Sequence, residues 1–309
     1  MSEINSLLLP FQYEFFIRGI LVSILVGAMN GMLGVYIVLR GMSYIGHGLS
    51  HAVFGGAVVS HMLNINMYIG AALWGIASSM IIGEVSRRTR VRADAIIGVI
   101  STAGFAIGIF LISSTRSFTR NFEALLFGNI LGITDMDMLI ISIVSIVVLA
   151  FFLTLNRMML FTIFDRETAR VYGVRTDLVE LVFSILLAVV VIASMNAIGV
   201  TLLAAAIVAP AISARMLTNN FSRMIILSTV LGALTAFSGM YVSFFLDSAS
   251  GATIVLFGAG LFAVLLIYTL LRRAYHTHSH GSMRHAHLHA HRGDHEHEHE
   301  HEHRSHTNG

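Results

Sequence analysis

Apolar runs of about 20 residues, the length that crosses a bilayer as a helix, recur along almost all of this chain ahead of its last 34 residues. They fall near 16–39, 43–62, 66–85, 94–114, 138–156, 178–197, 224–246 and 253–271. A shorter run, 198–212, follows the sixth at once and contains Pro210, which suits a broken or half-length helix. In lipid every backbone polar group must find a partner inside the protein, so runs of this kind leave little choice of fold. They predict an all-α, polytopic membrane helical bundle of eight or nine spans. Composition agrees: 12% of residues are charged and 56% hydrophobic, against roughly 25% charged in an ordinary globular protein. The first residues carry Glu3 and no basic cluster, so the first run is expected to stay as a span rather than leave as a signal peptide. No spacing of 20–50 residues repeats visibly.

Two absences narrow the chemistry. There is no cysteine, which excludes disulfides, thiolate ligands and thiol redox chemistry. All 19 basic residues are arginine, and a phosphate-binding Walker A loop needs lysine before its Ser or Thr. Any ATP-driven work therefore requires a separate subunit.

Arginine placement sets the expected orientation. Arg87, Arg88, Arg90 and Arg92 share one loop, Arg157, Arg166, Arg170 and Arg175 another, Arg215 and Arg223 a third, and Arg272 and Arg273 begin the tail. The positive-inside rule makes all four cytoplasmic, with the Arg40 turn also inside and the N-terminus outside. Segment 115–137 is too polar to span. Its Phe118, Phe122, Leu125, Leu126 and Phe127 read as a short interfacial helix on the outer side. The domain reading is a transmembrane unit over 1–275 and a His-rich cytoplasmic tail over 276–309. That tail alternates His with Glu, Ala or Ser, lacks apolar periodicity, and is expected to be disordered.

Chemistry concentrates in the second run, Gly-His-Gly-Leu-Ser-His, with His47 and His51. An i, i+4 pair shares one helix face, as two imidazoles on a single metal ion require. Ionisable side chains at membrane depth are costly and usually face a cavity, pore or partner. The competing reading is two neutral histidines bonded to carbonyls of neighbouring helices. His61 has no partner nearby in sequence and reads as an interface residue rather than a ligand. The short charged loop 164–173 offers a docking surface or merely a solvated turn. Stretch 197–215 is rich in small residues and suits tight packing next to a pore. The tail holds 13 of the 16 histidines, of which His276, His278, His280, His285, His287, His289 and His291 are candidate weak, exchangeable metal ligands.

Three of these segments, joined by Ser250–Val255, fall in an order and spacing that resembles the permease subunit of zinc/manganese/iron ABC importers. The matching stretches are Gly41–Ala52, Asp165–Gly173, Gly199–Ala211 and Ser250–Val255, so the resemblance covers about 16–270. It places His51 on the family's intramembrane metal-binding histidine and His47 on its aspartate. That replacement of a hard carboxylate by imidazole disfavours manganese and suits zinc or another borderline ion. Asn129 stands where an aspartate is common and Ala249 where a proline is.

The resemblance also implies a bundle like the cobalamin and siderophore importers and a permease homodimer in a bacterial or archaeal plasma membrane. Two ATP-binding subunits and an extracellular solute-binding lipoprotein would accompany it, with Asp165, Arg166, Glu167, Gly173 and Arg215 in the ATPase-coupling region. Neither a nucleic-acid partner nor a permanently bound cofactor is implied; the transported ion is expected to be divalent, zinc first, then manganese or iron. The alternative is an ion-gradient-driven zinc carrier without an ATPase. Such carriers normally pair His with Asp or Glu inside spans, whereas Glu84, Asp94, Asp177, Glu180 and Asp247 all sit at span ends here.

Overall fold

The computed structural model describes residues 7–42, 45–89, 91, 93–115, 125–280 and 283–288. They form two compact units, Met1–Leu265 and Leu266–Gly309.

The first unit is helical. Helices α1 (Glu14–Leu39), α2 (Ile45–Met62), α3 (Met67–Arg88) and α4 (Ala93–Thr115) are followed by α5 (Asp135–Phe164) and the short α6 (Arg166–Val171). Then come α7 (Thr176–Ile198), α8 (Val200–Leu217), α9 (Phe221–Leu246) and α10 (Ser250–Ala274), the last running on into the second unit. Eight of the described helices are long and apolar enough to cross a membrane. The exception at span length is α2, whose three histidines and four glycines dilute its hydropathy; thirteen of its 18 residues are nonetheless buried. Counting α2, the bundle has the expected upper figure of nine spans among the described residues.

Glycine contacts explain why α1 and α2 sit inside the bundle. On α1, Gly27 meets the Gly232 backbone of α9, Gly31 meets Ser228, and Gly34 meets the Ile207 carbonyl of α8. A Cβ at any of these would collide with backbone, so the helix axes are closer than side chains normally permit. The Ser228 hydroxyl donates to the Gly31 carbonyl at 2.5 Å across the same contact. By contrast α10 is 11% buried along its membrane-length stretch, against 72% for α1, and Leu256 and Val264 lie on its open, lipid-compatible surface.

Three expectations change. The 198–212 run is not a half-helix: α8 continues through Pro210 for 18 residues. The chain reverses instead at Gly199, whose φ of 91° is the left-handed conformation glycine adopts freely. Helix α5 has 30 residues, beyond the 138–156 run at both ends: Thr134 and Asp137 build a reciprocal capping box ahead of it, and the helix runs on to its C-cap at Asp165. Leu125 and Leu126 are buried in the core rather than lying on an interface. The neighbouring Asn129 N–H donates to the Asn196 carbonyl at 2.8 Å and pins this loop to the end of α7. Phe118 and Phe122 lie outside the described residues.

In the second unit the chain leaves α10 and forms two strands, β1 (Tyr275–His280) and β2 (Met283–Leu288), paired antiparallel. His289 and His291 fall outside the described residues.

Candidate functional site

His47 and His51 occupy the first two turns of α2, with Nε2 atoms 3.1 Å apart. Their rings are nearly perpendicular, at 82°, with centroids 4.2 Å apart. Phe105 of α4 packs edge-on against His51 at 4.4 Å, which fixes that ring from the other side. His47 is exposed and His51 partly buried, so the pair is walled by protein on one side and open on the other. Two nitrogens bound to one tetrahedral ion at about 2.0–2.1 Å lie roughly 3.3–3.4 Å apart, so a small adjustment converts the pair into a bidentate ligand set. In the ion-free pair one Nε2 must carry the proton that the other accepts. The buried His51 Nδ1 has no hydrogen-bond partner, so the carbonyl-bonded alternative weighed for this ring does not apply to that nitrogen.

Glycines deliver α2 to this position. A Cβ at Gly48 would strike Ile97 of α4, one at Gly55 would strike the Gly104 carbonyl, and one at Gly56 would overlap Trp74 and the Gly70 carbonyl of α3. Gly46 faces Ile207 of α8 at ordinary contact distance. Among the described residues no third His, Asp or Glu joins the pair in a metal-sized cluster. His61 lies at the far end of α2 and is exposed, apart from the pair as its isolation in sequence suggests.

The expected coupling residues gather where α1, α5, α6, α7 and α8 meet. Asp165 caps α6: its carboxylate accepts from the Thr168 N–H at 2.9 Å and from the Thr168 hydroxyl at 2.5 Å. Those bonds, the hydroxyl first, hold its pKa below the ordinary carboxylate value. Arg166 pairs with Asp177 at 2.7 Å and Glu180 at 3.1 Å, and Arg170 donates to Thr176 at 2.9 Å. Gly173 ends the segment at φ 83° with open space around it. Glu167 is exposed, as are Phe164, Val171 and Tyr172. Arg215 donates to the Val38 carbonyl at 3.4 Å, which ties the end of α8 to the end of α1.

Sequence reasoning missed Glu180 as more than a span-end acid; its other oxygen pairs with Arg40 at 2.6 Å. It also missed a cleft of about 300 Å³ at the opposite end of the bundle, whose polar lining is Tyr68, Asn129, Asp137 and Asn196. There the Tyr68 hydroxyl donates to Asp137 at 3.0 Å and Asn196 donates to Tyr68 at 2.6 Å. The Thr134-x-x-Asp137 capping pattern was the available signal for this corner.

A polytopic helical bundle with an imidazole pair on a buried, glycine-packed helix and a capped short helix among charged residues has the architecture of a membrane transport permease. The chain belongs to the ABC 3 transport family, whose profile matches residues 12–269. It is 36% identical to the manganese transport system membrane protein MntC of Listeria monocytogenes, over 83% of this chain and 91% of that protein. It is 34% identical to the chelated iron transport system membrane protein YfeC of Yersinia pestis, over 82% and 85% respectively. Among solved structures, PsaBC from Streptococcus pneumoniae superposes with a TM-score of 0.78 at 30% identity, covering 87% of this chain and 99% of that one.

Proposed function

We propose that this chain is the permease of an ATP-driven importer that carries a divalent transition metal across a bacterial or archaeal plasma membrane, with zinc as the favoured cargo. The observation that carries this reading is the 3.1 Å approach of His47 and His51 on a helix held inside the bundle. Two imidazoles leave a divalent ion under-coordinated, and the pair is open on one side. A second copy related by two-fold symmetry would bring two more, giving four nitrogen donors in the tetrahedral arrangement zinc prefers. The relatives named for manganese and iron support a divalent cargo; imidazole at position 47 is the reason to favour zinc over either.

In this reading an extracellular lipoprotein delivers the ion, and two ATP-binding subunits dock on α6 and the turn after α8, at the cytoplasmic end. Closure of the ATPases moves the adjacent helices as rigid bodies and exposes the histidine pair alternately to each side. The His-rich tail follows Arg272 and Arg273 into the cytoplasm and meets the arriving ion there.

Uptake of radioactive zinc and manganese into proteoliposomes holding the assembled transporter tests the proposal. Zinc uptake should require ATP and vanish in the His47→Ala/His51→Ala double variant. Zinc uptake that survives the double variant would overturn the site, uptake without an ATPase would overturn the ABC mechanism, and preference for manganese would overturn the cargo.

A further inference from the structure

Opposite charges run in sequence from α6 to the turn ahead of α2, and Glu180 of α7 is their midpoint. One of its carboxylate oxygens pairs with Arg166, the first residue of α6, at 3.1 Å. The other pairs with Arg40, which closes α1, at 2.6 Å. The Glu180 side chain is 20% exposed and that of Arg40 14%, so solvent and salt screen the bridge weakly. The Arg40 guanidinium also lies 5.7 Å from the centre of the Phe183 ring. Glu180 and Phe183 are three apart on α7, so one face of that helix holds the cation twice.

The link from Arg40 to α2 is short and tied. The Gly41 N–H donates to the Val38 carbonyl at 3.2 Å, and the Met42 N–H donates to the Ile37 carbonyl at 3.1 Å. The Ile45 N–H donates to the Met42 carbonyl at 2.9 Å, and Ile45 opens α2 two residues ahead of His47. A displacement of Arg40 therefore has little slack to take up before it reaches the histidines.

At the α6 end the contact is divided. Arg166 reaches Asp177 and Glu180 through the same nitrogen, Nη2, at 2.7 and 3.1 Å. Its Nε is buried without a hydrogen-bond partner, so that side of the guanidinium adds no competing anchor. One donor shared between two carboxylates on successive turns of α7 strengthens either bond at the expense of the other, and a shift of α6 changes how firmly Glu180 is held. We infer that Glu180 is a positioning residue that transmits displacement of α6 to the histidine-bearing helix. This inference rests on the transport reading above, in which the ATP-binding subunits dock on α6.

A bridge that merely held the fold together would behave differently. Removing Glu180 leaves the shielded Arg40 without the carboxylate it pairs with, which loosens this corner whatever the role of the bridge. Removing Arg40 as well takes that unpaired charge away, so the double variant separates transmission from charge balance.

The test measures zinc moved per ATP hydrolysed by the assembled transporter in proteoliposomes, beside zinc binding and thermal stability in detergent. Glu180→Gln and Arg40→Gln should each leave zinc binding and assembly intact and lower the zinc-to-ATP ratio several-fold. The double variant should recover stability that Glu180→Gln loses, yet keep a low ratio that is no worse than either single change gives. Asp135→Asn, which breaks an exposed 2.6 Å pair with Arg18 at the other end of α1, is the control and should leave the ratio unchanged. Recovery of the ratio in the double variant would overturn the inference in favour of charge balance. An unchanged ratio in Glu180→Gln, or an equal fall in the control, would overturn it outright. Absence of metal-stimulated ATP hydrolysis in the unaltered transporter would fail the transport reading itself and this inference with it.

Discussion

The molecule presents histidine at two spacings. On α2 the pair is four apart, matching the helical period, and the helix is fixed by glycine contacts to three neighbours. In the tail the spacing is two, matching the pleat, and the pairing of β1 with β2 is what orders it. The first arrangement is organised by packing before any ion arrives; the second lies in a two-stranded unit that packing alone supports weakly. Preorganisation distinguishes a pathway from a reservoir, because a site whose ligands are already in place spends little of the ion's binding free energy on ordering the chain.

The sharpest way to break that contrast is to remove a ligand from the rigid pair. His51→Ala should cut zinc uptake by at least about 100-fold, since even outer partners of metal ligands cost 10–100-fold, while dimer assembly by cross-linking stays normal. His47→Asp keeps a ligand but changes its hardness, and should move selectivity toward manganese by about tenfold. Were selectivity to stay fixed, position 47 would not set the choice of ion.

Next in size is the packing that holds the pair. Gly55→Ala places a methyl group against the Gly104 carbonyl, and overpacking of this kind costs about 1–3 kcal/mol. Thermal stability in detergent should fall accordingly and uptake should fall with it. Gly98→Ala, on the same α4 but with open space around it, is the control and should change neither. Equal effects at the two glycines would show that α2 is not positioned by close backbone contact.

What was legible in the sequence divides along physical lines. Span count, the exposed α6 loop and the histidine pair follow from hydropathy, charge and period, all of which are local. The continuity of α8 through Pro210 was not legible, because a proline's cost depends on whether neighbours tolerate its missing N–H, and Gly199 takes the turn instead. Glu180 was invisible because its importance lies in two arginines that are 140 and 14 residues away.

A smaller effect is expected at α6, the docking element in the proposed mechanism. Reversing charge at Asp165 and Glu167 together should lower metal-stimulated ATP hydrolysis several-fold without altering zinc binding. The Asp165 pKa is depressed in the folded state, so its cap stabilises α6 above the ordinary carboxylate range and is lost only as pH falls through the depressed value. Coupling that depends on this cap should therefore be flat across neutral pH. A loss centred near neutrality would point to histidine instead.

The smallest effect should come from the tail, and its smallness is the test of the reservoir idea. Truncation after Tyr275 removes β2, nearly all of β1 and 13 histidines, but leaves α1 to α10 and the pair on α2 in place. Zinc uptake at low external concentration should remain within about twofold of the full chain, because outer ligands that only receive an ion do not limit its passage across a complete pathway. At high zinc the curves should separate, as a cytoplasmic acceptor that fills only when free zinc rises shifts its occupancy in that range by mass action. Superimposable curves over the whole range would leave the tail without influence on transport. Loss of all uptake would contradict the division between pathway and reservoir, and would place an obligatory step in the tail.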